Sequence, residues 1–437
     1  MASAYLSRTP SSASNRRTWT WSGWVKRGSL SDANQVLFEA IDGSGFVEKL
    51  QFTASDILEY DHDIAGTDYT VYTGERRYRD TNAWYHIIFA KDTTQSTEAD
   101  RIKIYVNGEQ QSLSEYQLGY PPQNYEGIIN NNLVHCIGSN NGSEYFNGLM
   151  THVNFVDGTA LTPTSFGQSD SNGVWIPKPS PSVTYGTNGF FLKMDNSGNM
   201  GLDSGGGSNN FTTNGTITQA KDTPSNVFAT GNPLSPYANR TISNGNLTTT
   251  STTTHWTSVF STIGVSTGKW YIELKATAGS YHSFGIVNDF PTSENGSIGD
   301  FTSIATQQIG YYSYYGNKKV NETTSSYGAS WTNGDIISMA LDLDNNKLYF
   351  AKNGTWQNSG VPTSGSTGTG AISVNSGYTY FIGTAVYNSS ATTFNFGNGY
   401  FGSTQISSAG TNASGNGIFE YDVPTGYTAL STKGLNL

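Results

Sequence analysis

The sequence predicts an all-β protein built of two β-sandwich domains joined by an extended Pro/Gly-rich connector. Three observations carry that prediction. Apolar residues recur at every second position in many short runs, and no long stretch keeps an apolar period of 3.6. Gly, Asn, Ser and Thr collect between those runs, with 50 glycines in all, as turns require. At 437 residues the chain exceeds what one core usually serves, and its 13 % aromatic content excludes a disordered polymer.

The first strand is RTWTWSGWVKR (17–27), where Trp19, Trp21 and Gly23 alternate against Thr18, Thr20 and Ser22. AWYHIIFAKD (83–92) and DRIKIYVNGEQ (100–110) follow, the latter turning at Asn107-Gly108, a strong hairpin signal. YFNGLMTHVNFVDGTAL (145–161) adds a strand and an Asp-Gly turn. Residues 1–165 form the first expected domain. Residues 166–235 collect prolines such as Pro177, Pro179 and Pro181 and the run SGNMGLDSGGGSNN, which break regular pairing. They read as an extended connector, partly packed on the first sandwich through a strand near 185–195. Strands resume in 236–437: TISNGNLTTT (241–250), GKWYIELKA (268–276), HSFGIVND (282–289), QIGYYSYYG (308–316), DIISMALDL (335–343), KLYFAKNG (347–354), YTYFIGTAVY (378–387) and TTFNFG (392–397).

The stretch DIISMALDLDNNKLYFAKNG (335–354) has two readings, a calcium loop or a hairpin. Ile337, Met339, Leu341 and Leu343 share one face at period two, and Leu348 and Phe350 continue it across the turn. A calcium loop of the EF-hand type needs Gly at its sixth position and Glu at its twelfth. Counted from Asp342, those positions hold Lys347 and Asn353, so the hairpin is expected.

Composition excludes other classes. A net charge of −10 disfavours a phosphate-backbone partner, and no nucleic acid is expected. The single cysteine, Cys136, lies in the apolar run LVHCIGS and reads as a buried, inert thiol. MASAYLSRTPSS lacks the apolar core of a signal peptide, and no run reaches the length of a membrane span, so membrane insertion is not expected.

Several motifs resemble known families. GKWYIEL, FGIVND, NGDIISMALDLDNNKLYFAKNG and YFIGTAVYNSSATTFNFGNGYF, in that order, are similar to the motifs of a SPRY domain over roughly residues 240–437. That resemblance implies a bent two-sheet sandwich that binds partners through loops at one edge and has no shared catalytic residues. WTWSGWVKRGSL, NAWYHIIFAKD, IKIYVNGE and FNGLMTHVNFVDGTAL resemble the concanavalin A-like, laminin-G-like jelly roll over about residues 15–165. The tail SFGQSDSNGVWIPKP, YGTNGFFLKM and DTPSNVF, followed by a SPRY-like half, looks like structural proteins of marine tailed bacteriophages. The resemblance implies a virion protein, assembled in the host cytoplasm: a tail fibre, a tail-associated adhesin or a capsid decoration. Its implied partners are other virion proteins, a host surface glycan and further copies of itself.

Candidate residues follow from these readings. Some concanavalin-like folds are glucanases whose active strand projects paired carboxylates, about 5–5.5 Å apart for retaining chemistry. The nearest match is EYDHD, with Glu59, Asp61 and Asp63 on alternate positions. The last is an Asp, and no second cluster with cleft aromatics is evident. A solvated strand end or loop is expected, and no catalytic residue. Laminin-G-like domains often hold one calcium, which makes Asp61, Asp63 and Asp68 the candidate ligands, with Asp80 and Asn82 as another pair. No other cofactor is expected. Six histidines form no metal-spaced cluster, and His86 reads as half-buried in a strand. Recognition calls for exposed aromatics beside polar groups. In GYYSYYGNKK, alternation places Tyr312 and Tyr314 on one face, while Trp331 and Trp356 sit beside turns. These four are the candidate ligand-binding residues.

Overall fold

The computed structural model describes residues 3–30, 33–64, 67–171, 173–234, 238–291, 296–301 and 306–436. In the strand Thr18–Arg27, Trp19, Trp21 and Val25 are buried on one face, and Thr20, Ser22 and Trp24 take the other. Gly23 falls where a side chain has no room: a Cβ there would meet the Trp21 ring at 2.6 Å. The strand lies in a six-stranded antiparallel sheet ordered Phe190–Leu192, Gly148–Asp157, Thr18–Arg27, Trp84–Asp92, Ile102–Val106, Glu109–Gln110. The predicted turn between the last two has Asn107 and Gly108 at φ of 50° and 88°, as a two-residue hairpin loop demands.

An eight-stranded sheet faces it, ordered Ser114–Gln117, Thr67–Tyr72, Leu58–Ile64, Val47–Phe52, Gln35–Ile41, Val134–Ile137, Tyr5–Arg8, Thr212–Asn214. Trp19, Trp21, Phe89 and Phe155 from one sheet meet Phe38, Leu50, Tyr60 and Val71 from the other in a single core. A buried ion pair crosses this core. Lys91 Nζ, from the smaller sheet, lies 2.5 Å from Glu48 Oε1 in the larger one. Tyr60 OH donates to the same oxygen at 2.7 Å, and the Ile129 amide donates to Oε2 at 2.7 Å. Burial opposes the Glu48 charge, but Lys91, with His62 and the Ile129 amide, outweighs it and brings the carboxyl down to about 2.

The stretch read as a connector is divided: residues 166–219 pack on this unit, whereas Phe228 and Ala229 join the core of the second. Gly167–Ser169 pairs with Trp175–Pro177, Phe190–Leu192 joins the smaller sheet, and Thr212–Asn214 closes an edge of the larger one. Leu161, Phe166, Val183 and Tyr185 cover the outer apolar face formed by Ile88, Ala90, Tyr105 and Val156. His86 is fully buried here rather than half-buried. It stacks on Trp24 at 4.8 Å and accepts the Trp175 indole N–H at Nδ1, 3.0 Å away. An indole only donates, so Nε2 carries the proton and donates it to Ser22 Oγ at 2.9 Å. Burial holds His86 down to about 3, so it stays neutral. The chain divides into two units between Gln219 and Ala220. The expected boundary at 235/236 lies outside the described residues.

The second unit is also a pair of sheets. The main path of the larger runs Arg240–Ser243, Thr248–Ser251, Ala391–Asn395, Lys269–Ala278, Ile336–Asp342, Lys347–Lys352, Thr355–Trp356. The smaller runs Thr257–Val265, Tyr380–Val386, His282–Val287, Gln308–Tyr312, Asn317–Val320, Thr323–Ser326. The stretch 335–354 is the expected hairpin, with Leu341 opposite Leu348 and Ile337, Met339 and Leu341 buried. Its acidic turn is spent locally: Asp342 Oδ1 accepts the Asn345 amide at 3.0 Å. TISNGNLTTT differs from expectation. It is a hairpin rather than one strand, because Asn244, Gly245 and Asn246 all adopt positive φ. Glu273 is buried and accepts the amides of Glu420 and Tyr421, each at 2.9 Å, which ties the C-terminal segment to the sheet. Among the described residues no helix is long and apolar enough to cross a membrane.

The ion pair across the first core makes a direct prediction. Lys91→Met leaves the Glu48 charge buried and unpaired, and should cost about 3–5 kcal/mol of that unit's stability in denaturant unfolding. Adding Glu48→Gln to Lys91→Met should recover part of the loss.

Candidate functional site

Four strand ends of the smaller sheet in the second unit meet along one rim. Thr257–Val265 begins there, Tyr380–Val386 ends there, His282–Val287 begins there and Gln308–Tyr312 ends there. The register places them side by side: Thr257 and His282 both pair with Val386, and Ser283 pairs with Tyr312. Each end carries an aromatic residue: Trp256, Tyr387, Tyr281 and Tyr312, with Tyr314 and Tyr315 in the turn beyond. Trp256 packs on Tyr312 at 5.7 Å and on Tyr387 at 5.6 Å, and Tyr281 meets Tyr387 edge-on at 5.5 Å. Tyr281 and Tyr314 stack at 5.4 Å, and Tyr315 stands perpendicular to Tyr314 at 4.5 Å.

The inner rings are half-buried, whereas Tyr314 is 48 % and Tyr315 68 % exposed. Hydrogen bonds fasten the turns beneath them. The His282 amide donates to Ser313 Oγ at 2.8 Å, and Ser313 Oγ donates to the Ser280 carbonyl at 2.8 Å. Among the described residues no protein partner accepts from the hydroxyls of Tyr312, Tyr314 or Tyr315. Burial and the neighbouring phenols raise Tyr312 to about 12, so its hydroxyl keeps its proton as a donor. Lys319 lies over the Tyr312 ring at 5.2 Å and is paired with Asp300 at 2.7 Å.

The predicted binding residues divide. Tyr312 and Tyr314 belong to the rim. Their neighbour Tyr311 is buried, and Tyr315 is exposed because the strand stops at Tyr312 and alternation no longer applies. Trp331 is a correction. It is only 2 % exposed and is therefore closed to a ligand. It stacks on His282 at 5.4 Å, and its amide donates to the Ser313 carbonyl at 2.9 Å, so it supports the rim from below. Trp356 is half-buried against the main core and meets Tyr349 edge-on at 6.4 Å, outside the rim. Sequence reasoning missed Trp256, Tyr281, Tyr315 and Tyr387. Their common signal is a ring at a strand end beside Ser, Thr or Asn, as in TTTHWTS, GSYHSF and AVYNSS.

The acidic candidates lie in the first unit and also differ from expectation. Glu59 and Asp61 are half-buried rather than solvated, whereas Asp63, next to the strand's end, is exposed. They occupy Leu58–Ile64, inside the eight-stranded sheet. On that sheet's outer face a polar row crosses Cys136, Glu39, Lys49, Asp61 and Thr70. Lys49 Nζ contacts Asp61 at 3.5 Å and Glu144 at 3.4 Å, and Gln51 donates to Glu59 at 2.6 Å. Asp68 accepts from Thr70 and, at 2.7 Å, from Gln117. The calcium candidates Asp61, Asp63 and Asp68 sit on paired extended strands, and Asp61 and Asp68 spend oxygens on Lys49, Thr70 and Gln117. No group of three or more His, Cys, Asp or Glu able to hold a metal forms among the described residues. Asp80 accepts the amides of Asn82 and Ala83, the local turn role open to any Asp. Burial raises Glu39 to about 8, against the Asn141 amide donated at 2.6 Å; it also raises Asp61 and Glu59. Cys136 beside Glu39 is buried, and its thiol is pushed up to about 12, which makes it inert.

Comparison with known proteins bears on both units. The family model described as the Concanavalin A-like lectin/glucanases superfamily matches residues 2–165. The SPRY domain model matches residues 268–398. Among solved structures, the SPRY domain of human HERC1 is 16 % identical over 36 % of this chain and 92 % of its own, with a TM-score of 0.28. The PSpry domain of TRIM65 is 14 % identical over 38 % and 88 %, with a TM-score of 0.30. A heptameric SAP-like pentraxin from Limulus polyphemus is 14 % identical over 36 % and 71 %, with a TM-score of 0.28.

The buried acid Glu39 sets a pH test. Its folded value of about 8 lies above its ordinary 4.5, so its contribution is fully present below 4.5 and is lost as pH rises through about 8. Buried His86 and His135, held near 3 and 4, act in the opposite sense and only below about 6.5. Melting temperature should therefore fall between neutral pH and pH of about 9. The fall should be shallower in Glu39→Gln.

Proposed function

We propose that this chain, an N-terminal concanavalin A-like domain followed by a SPRY domain, is an adhesive structural protein of a bacteriophage particle. Both domains are of binding type, and the aromatic rim of the second unit is the surface that meets the partner. The observation that carries the reading is that rim: four strand ends bring six aromatic rings together, with the two outermost largely exposed. Exposed rings of this kind offer large contact area at low entropic cost.

The virion assignment draws on the sequence of the tail, SFGQSDSNGVWIPKP through DTPSNVF, and on its place between the two domains. In this reading the chain is a tail-associated adhesin, a fibre component or a capsid decoration, present in several copies. Its partners are other virion proteins and a host surface glycan. Binding of this kind calls for no cofactor. Mass spectrometry of purified particles should find the chain in stoichiometric amount; its absence there rejects the virion role. Adsorption of the purified chain to host cells should drop in Tyr314→Ala and Tyr315→Ala, with melting temperature unchanged.

A second reading, glycan hydrolysis on the outer face of the first unit, has one observation in its favour. Burial raises Glu59 and Asp61, as an acid catalyst requires. Against it, Asp61 is tied to Lys49 and Glu59 to Gln51. Polysaccharide incubated with the wild-type chain and with Glu59→Gln should yield no reducing sugar from either. Release by the wild type alone establishes catalysis.

A further inference from the structure

The composition of the rim narrows the ligand. Resting on the reading that the second unit binds through this rim, we infer that its occupant is a neutral saccharide seated against Tyr314 and Tyr315. The four segments that build the rim are Thr253–Trp256, Gly279–Tyr281, Ser313–Gly316 and Tyr387–Ser390. They contain Trp, Tyr, His, Ser, Thr, Asn and Gly, and no Lys, Arg, Asp, Glu or aliphatic residue. Trp and Tyr anchor protein-binding surfaces as well as saccharide sites, but these segments supply none of the Arg or Met that protein-binding surfaces also draw on. A pyranose ring presents a face of C–H groups and an edge of hydroxyls. Tyrosine rings match the first and phenol, seryl and amide groups match the second.

Geometry adds to composition. One face of Tyr314 is taken by Tyr281, stacked at 5.4 Å and inclined by 22°. Tyr315, at 84° to Tyr314, supplies a second ring surface perpendicular to the first. The pair offers a corner, with Asn388 and Ser389 in a tight left-handed turn (φ of 54° and 58°) after Tyr387 on the same rim. The hydroxyls of Tyr312, Tyr314 and Tyr315 have no protein acceptor among the described residues, so they are available to a ligand. Charge decides between neutral and acidic sugars. The cation beside the rim, Lys319, is compensated by Asp300 at 2.7 Å, and the rim segments add no Lys or Arg to hold a carboxylate or sulfate.

The test titrates the full chain with neutral β-glucan, mannan and galactan oligosaccharides, and in parallel with oligogalacturonate and sulfated galactan, at low and high salt. At least one neutral oligosaccharide should bind, with affinity changing by less than about twofold between the two salt conditions. Tyr314→Ala and Tyr315→Ala, which remove exposed rings, should each weaken it at least about tenfold, with unchanged melting temperature. Trp356→Ala, outside the rim, should leave it intact. Binding confined to the acidic sugars, or neutral binding that ignores both tyrosine variants, overturns the inference. Rim-dependent adsorption to cells or particles with no saccharide bound also overturns it, while leaving the adhesive reading in place. Loss of both saccharide binding and rim-dependent adsorption removes the two together.

Discussion

A strand in these sheets buries alternate side chains only for as long as its ladder lasts. Everything described in the second unit depends on where that ladder stops. In Gln308–Tyr312 the last pair is Ser283 with Tyr312. Up to that point alternation sends Tyr311 into the core. One residue later the chain is free to turn, and two tyrosines project into solvent. The same release acts at Trp256, Tyr281 and Tyr387, each one residue beyond a strand. Glycines make the turns tight enough to keep these rings together. A Cβ on Gly279 would lie 2.2 Å from Ser390 Oγ, and Gly279 adopts a φ of 73° that side chains resist.

Stacking two sheets leaves polar groups in the core, and each unit resolves that differently. In the first, Glu48 and Lys91 neutralise each other across the sandwich, and Tyr60 and Ile129 satisfy the remaining oxygen positions. Such a pair adds little over apolar packing, but it tolerates the loss of neither partner alone. In the second, Glu273 takes backbone donors instead of a cation, so burial raises its carboxyl to about 7 against those donors. The first solution joins two sheets. The second binds the C-terminal segment to one of them.

The outer face of the larger sheet in the first unit shows why clustered acids need not form a catalytic pair. Lys49 sits within reach of both Asp61 and Glu144. Glu39 receives the Asn141 amide from the loop that also carries Glu144. The row is a network that holds a loop against a sheet, and its raised carboxyls report burial rather than poise for a substrate. The contrast with the rim is physical. Glu39, Glu59 and Asp61 are engaged with their neighbours, whereas Tyr314 and Tyr315 stay exposed, with hydroxyls that no described residue engages.

Period-two burial was legible in the sequence because it is a local property of each strand. It located Trp19 and Trp21, the hairpin at Leu341 and Leu348, and the turn at Asn107-Gly108. It also picked out Tyr312 and Tyr314. Local pattern failed wherever position depended on a distant strand. It put Trp331 at a surface that the stacked His282 closes, missed Tyr315 by extending alternation past the strand end, and placed Asp61 without its partner Lys49. Trp256, Tyr281, Tyr312 and Tyr387 are spread over more than 130 positions of chain. Only the register of four antiparallel strands makes them neighbours, and register is set by pairing between segments rather than within them.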